Sequence, residues 1–203
     1  MNLRIRSTAA ACLLLSAMTA ASAANYTAVL TGPKEAPGNA SPGIGATVVK
    51  FDATSHLLEV NVAFGSLAGD TTAAHIHCCT TAPGIGTAGV ATETPTFGSF
   101  PLGVHNGAYT NSYDTSLPGS WNAAFLTANG GTTAGAEAAF LTGLNSGSAY
   151  LNIHSSAYPG GEIRGFLALV PTPAAPVPEP GSFAMLGLGV PAVLMLARRR
   201  RKA

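Results

Sequence analysis

Between residues 24 and 169 the apolar positions come in short alternating runs, and glycine- and proline-rich segments end each run before it reaches helix length. That pattern confines the region to a β-rich fold. The cleanest run is 57–64, where Leu58, Val60, Val62 and Phe64 share one face while Glu59 and Asn61 share the other. Further strands are predicted at 26–30, 48–52, 73–79, 150–154 and 162–169, with Ala53, Thr54 and Ser55 as a turn and with loops at 32–45, 82–89 and 95–107. One segment, 132–144, breaks the period. It is alanine-rich, opens on threonines suited to capping, and places Ala138, Leu141 and Leu144 at helical spacing. Many short strands with one short helix predict an all-β class, an immunoglobulin-like β-sandwich or a flattened barrel. Residues 24–169 suffice for a single domain with its own core.

Both ends of the chain read as signals. Residues 1–23 combine Arg4 and Arg6, an apolar stretch at 9–20 and the small-residue site Ala21, Ser22, Ala23, which predicts a signal peptide, a substrate for signal peptidase. The expected mature chain begins at Ala24. Residues 170–180 are nearly all Pro, Ala and Val, an extended spacer. Residues 181–203 hold an apolar run at 182–197, the expected C-terminal anchor helix, followed by Arg198, Arg199, Arg200, Arg201 and Lys202. Pro178-Glu179-Pro180, the apolar run and the basic stop together resemble a PEP-CTERM sorting signal of Gram-negative bacteria. The resemblance implies recognition of Pro178, Glu179 and Pro180 by an exosortase-type enzyme, with delivery to the cell envelope or extracellular matrix. With the two signals set aside, Lys34, Lys50 and Arg164 face all nine carboxylates of the chain, so the remaining segment is acidic and nucleic acid is excluded as a partner.

Two segments carry a more specific resemblance. The first is Ala73-Ala74-His75-Ile76-His77 with the loop Pro83-Gly84-Ile85-Gly86. The second is Ala149-Tyr150-Leu151-Asn152-Ile153-His154-Ser155, followed by Pro159-Gly160-Gly161-Glu162-Ile163-Arg164-Gly165-Phe166-Leu167. Together they are similar to the CHRD domain, described in chordin and found in secreted bacterial proteins, and the likeness runs from Asn25 to Leu169, taking in Glu35 and Pro37. It implies an all-β immunoglobulin-like or barrel fold without enzymatic activity, and a structural motif built on Asn152, Gly160, Gly161, Glu162 and Arg164.

The residues themselves point to chemistry in two places. On a strand, His75 and His77 project from one face about 7 Å apart, and His154 supplies a third imidazole from another strand. Such a trio has two readings: histidines that satisfy backbone and hydroxyl groups inside the fold, or a copper or zinc site with His105 or Cys79 as a fourth ligand. An H-x-H strand also resembles copper–zinc superoxide dismutase, but no histidine-rich loop follows His77, which argues against dismutase activity. Cys78 and Cys79 are adjacent thiols in an oxidising compartment, open to a vicinal or intermolecular disulfide, a reduced pair, or metal binding. Arg164 is placed to serve a buried carboxylate or carbonyl network, with Glu162 as one candidate partner. Trp121, Tyr109, Tyr113 and Phe125 suit either core packing or a sugar platform. No carboxylate pair has glycosidase spacing. The expected function is a surface-sorted, non-enzymatic module with a structural, adhesive or ligand-binding role, engaging exopolysaccharide or a surface protein. The alternative is an extracytoplasmic copper- or zinc-binding protein.

Overall fold

The computed structural model of the protein describes residues 23–171, so the two expected end helices and Pro178, Glu179 and Pro180 lie outside the described residues. The described chain is mostly β. Its strands are β1 (Ala24–Thr31), β2 (Ile44–Asp52), β3 (Leu57–Gly65), β4 (Thr71–His77), β5 (Gly107–Asp114), β6 (Tyr150–Ser155), β7 (Ile163–Phe166) and β8 (Ala168–Leu169). Two helices, α1 (Ala123–Ala128) and α2 (Thr133–Ser146), sit between β5 and β6. The strands form one curled antiparallel sheet in the order β4-β6-β7-β1-β2-β3-β5, with β8 also on β1. No helix among the described residues is long and apolar enough to cross a membrane.

Alternation decides which side is the core. Tyr26, Leu30, Val49, Phe51, Leu58, Val60, Val62 and Phe64 are all buried on the inner face, joined there by Ala74, Ile76, Leu151, Ile153 and Ile163. Helix α2 closes over this face. Thr132 caps it, its hydroxyl accepting from the Gly135 amide, and Gly147 ends it in a left-handed conformation. Phe140 meets Phe51 and Trp121 edge-on, each at 5.4 Å between ring centroids.

Several expectations need correction here. The buried face of α2 is Ala136, Glu137, Phe140, Gly143 and Leu144, while Ala138 is exposed and Leu141 half-buried. The reason is tertiary packing: Gly143 lies against Cys78 and Cys79, and only a residue without a side chain lets the helix come that close. Strand β4 stops at His77 rather than at Cys79. The last predicted strand is broken into β7 and β8, and Glu162 precedes it. Strand β5 and helix α1 were not predicted, because β5 carries Ala, Thr, Asn and Ser among its tyrosines and owes its form to pairing with β3.

The edge strand β4 is sealed by an irregular segment. Amides of Gly89–Phe97 and carbonyls of β4 pair across it: Ala91 and Phe97 donate to the Ile76 and Ala74 carbonyls, and Cys78 donates to Gly89. This cover buries β4 from Ala74 to His77 and most of β6 on both faces, with His154 half-buried.

Candidate metal centre

The face of β4-β6-β7 opposite the core is polar, and the strand register lays it out in rows. His75 lies across from Asn152, which lies across from Arg164; His77, Tyr150 and Phe166 form the next row; His154 sits opposite Ala73. With a side-chain period of two, His75 and His77 on β4 and Tyr150, Asn152 and His154 on β6 share this face. Antiparallel pairing brings His154 to the β4 pair although it is 77 positions after His77 in the sequence.

The three imidazoles converge. Ring centroids of His75 and His154 are 5.4 Å apart, and His77 is 5.9 Å from each. One nitrogen from each ring lies within 4.8 Å of the others. Nitrogens sharing one metal at about 2.0 Å stand roughly 3.3–3.5 Å apart, so small ring rotations separate this arrangement from coordination.

Each ring is held by a backbone carbonyl from a different turn of the cover. His75 Nε2 donates to Pro95 O (2.6 Å), His77 Nδ1 to Ala88 O (2.9 Å) and His154 Nδ1 to Pro159 O (2.9 Å). A carbonyl only accepts, so the contacted nitrogen carries the hydrogen and the other keeps a lone pair. Those other atoms, His75 Nδ1, His77 Nε2 and His154 Nε2, are buried without a hydrogen-bond partner. A buried acceptor left without a donor is costly. A ring oriented by one nitrogen and open at the other is the arrangement of metal-ligating histidines.

Burial keeps the rings neutral, the form a ligand requires. Desolvation drives the His77 pKa down to about 4, with the neighbouring histidines and Arg164 acting the same way and the Ala88 carbonyl opposing. The pKa values of His75 and His154 are also lowered, first by burial. Tyr150 stacks on His77 at 4.8 Å, and the Arg164 guanidinium stands 4.7 Å over the same tyrosine ring.

Arg164 serves a buried network of carbonyls and a carboxylate, as expected, but the carboxylate is not the candidate Glu162. Its Nε donates to the Lys34 carbonyl and its Nη1 to Gly86 O (3.0 Å), and the carboxylate beside it is Glu35, at 3.7 Å. Burial outweighs that guanidinium and an Asn152 hydrogen bond and raises the Glu35 pKa to about 7. Glu35 Oε1 and Asn152 Oδ1 are likewise buried without partners. Glu162 instead turns to the loops: Ser41 Oγ and the amides of Ala68 and Gly69 donate to its carboxylate. Burial alone would raise its pKa; these donors and Ser155 overcome that and hold it below the usual value. Gly161, at φ 134°, occupies a conformation that L side chains rarely adopt, and a side chain there would run into Asn152 and Glu35. Gly160 has open space around it.

The remaining candidates lie elsewhere. Cys78 and Cys79 are bonded to each other and packed on α2. His105 pairs with Asp70 at 3.1 Å and donates to the Leu67 carbonyl, away from the trio. Trp121, Phe125 and Tyr109 are buried in the core and Tyr113 packs against it, so no sugar platform forms from them. The carbonyl partners of the histidines, and the pairing of Glu35 with Arg164, left no signal in the sequence beyond Glu35's place in the CHRD likeness.

Comparison with known families gives two matches. A CHRD domain model covers residues 26–167, and a PEP-CTERM protein-sorting motif covers residues 176–202. No curated protein and no solved structure matches the chain.

Proposed function

The chain belongs to the CHRD-domain family, and from that premise we propose that it is a non-enzymatic, extracytoplasmic copper- or zinc-binding module, sorted to the cell surface. The sorting motif implies handling by an exosortase-type enzyme and an extracytoplasmic address. Removal of the leader by signal peptidase, a C-terminal membrane anchor and residence in the extracellular matrix belong to the same reading. One observation supports the metal: the three imidazoles converge, with one nitrogen of each within 4.8 Å of the others, and each ring keeps one buried nitrogen free of hydrogen bonds while its other nitrogen is tied to a carbonyl. His75 Nδ1, His77 Nε2 and His154 Nε2 would hold the ion. A structural or adhesive role toward exopolysaccharide or another surface protein is the second reading, favoured by the surface address.

Metal analysis of the protein, purified without chelators or a histidine tag, tests this beside His75→Ala and His154→Ala. Stoichiometric copper or zinc, lost in both variants while circular dichroism stays native, is the expected result. A folded wild-type protein that takes up neither ion at micromolar concentration returns the histidines to a purely structural role.

A further inference from the structure

Resting on the reading of the trio as a metal centre, we propose that its ion is monovalent copper, in preference to divalent copper or zinc. Charge and coordination number both favour it. All three donors are neutral nitrogens, and among the described residues no cysteine or carboxylate joins the cluster. The shell behind them is neutral as well, because each ring leans on a backbone carbonyl where zinc-binding histidines often have a carboxylate. Among the described residues, no carboxylate acts electrostatically on the rings. Apart from the histidines themselves, the charge that acts on them is the Arg164 cation, felt at His77.

An ion entering this site therefore brings its whole charge into a buried, uncompensated place. The cost of burying an ion rises with the square of its charge, so a divalent ion is penalised about four times as heavily as a monovalent one. Glu35 does not offset this, since its carboxyl is engaged with Arg164 and Asn152. Coordination number argues the same way. Zinc takes a fourth ligand, and both fourth donors the sequence offered are committed, His105 to Asp70 and Leu67 and Cys79 to Cys78, so a water would have to be brought into the buried site to complete its tetrahedron. Monovalent copper is satisfied by three imidazoles.

Competition titrations on the full-length protein test the proposal. Monovalent copper is titrated anaerobically against bicinchoninate, zinc against a pyridylazo dye, and divalent copper against glycine. Monovalent copper is expected to bind at least 1,000-fold more tightly than zinc, and His77→Ala to weaken it at least 100-fold. His154→Asp, which places an anionic donor in the cluster, is expected to narrow the gap to zinc at least tenfold. Zinc or divalent copper binding as tightly as monovalent copper in the wild-type protein overturns the proposal and leaves the metal reading standing. A folded His154→Asp protein with an unchanged preference overturns its electrostatic basis. Folded protein that binds none of the three ions overturns the metal reading itself, so the two failures are distinct.

Discussion

The two ends of the sheet solve the same problem differently. At the β2-β3-β5 end the inner face is packed and the outer face meets water, so Ile44, Ala46 and Val48 stand exposed beside fully buried neighbours. Its ion pair, Lys50 with Glu59 at 3.2 Å, lies at the surface. At the β4-β6-β7 end the segment 88–97 and the turns at 35 and 159–161 cover the outer face, and polar groups are enclosed there: three histidines, Asn152, Arg164, Glu35 and Glu162. Burying polar groups costs stability unless each is met by a partner. The stability of the first end therefore rests on apolar packing, while the second depends on completing a polar network.

The sharpest way to break this contrast is to remove a glutamate from each end. Glu162→Ala leaves Ser41 and the Ala68 and Gly69 amides without an acceptor and is expected to cost about 4 kcal/mol. Glu59→Ala, at the surface, is expected to cost less than about 1 kcal/mol. Urea denaturation of the two variants measures both, and equal losses would erase the distinction.

Acid comes next. The His77 pKa falls from 6.5 to about 4 on folding, so the unfolded chain takes up the proton first and stability drops as pH falls from about 6.5 to 4. That is about 3 kcal/mol from His77 alone. Glu35 runs the other way: raised from 4.5 to about 7, it favours the fold at low pH, and that contribution is lost as pH rises through 7. Glu35→Gln should therefore steepen the acid-side loss, which melting curves from pH 4 to 7 will register.

A smaller effect is expected where α2 meets the β2–β3 turn. His56 Nδ1 donates to buried Glu137 at 2.8 Å, and that bond raises the His56 pKa. Its stabilisation is present below pH 6.5 and fades as pH rises through the folded value. His56→Asn, which suits the positive φ at this position, should make the decline in Tm between pH 6 and 8 shallower, leaving the part that Glu35 contributes. Smallest of all, Val48→Thr on the open face should change stability by no more than about 0.5 kcal/mol, against about 2–3 kcal/mol for Val49→Ala one residue away.

The sequence made the local half of this legible. Alternation located β3 with its inward residues, and it put His75 and His77 on one face. Thr132 marked the start of α2. The face of α2 was misread because Ala138 and Leu141 look apolar, while the packing that decides it comes from Phe51, Trp121 and the cysteines, all distant in the chain. Proximity in sequence makes Glu162 one candidate partner for Arg164, whereas the guanidinium sits beside a carboxylate about 130 positions earlier. The trio itself needed the β4-β6 register, which alternation within either strand leaves open.

The carbonyls that grip the histidines bear on how the chain changes over generations. Pro95, Ala88 and Pro159 belong to three separate turns, so each imidazole fastens a loop whatever else it does. Replacing one would remove a single tie between the sheet and its cover, whatever it did to a ligand. Selection for a stable, secretable chain therefore favours the three histidines independently of any ion, so the donor set and the cover are inherited together.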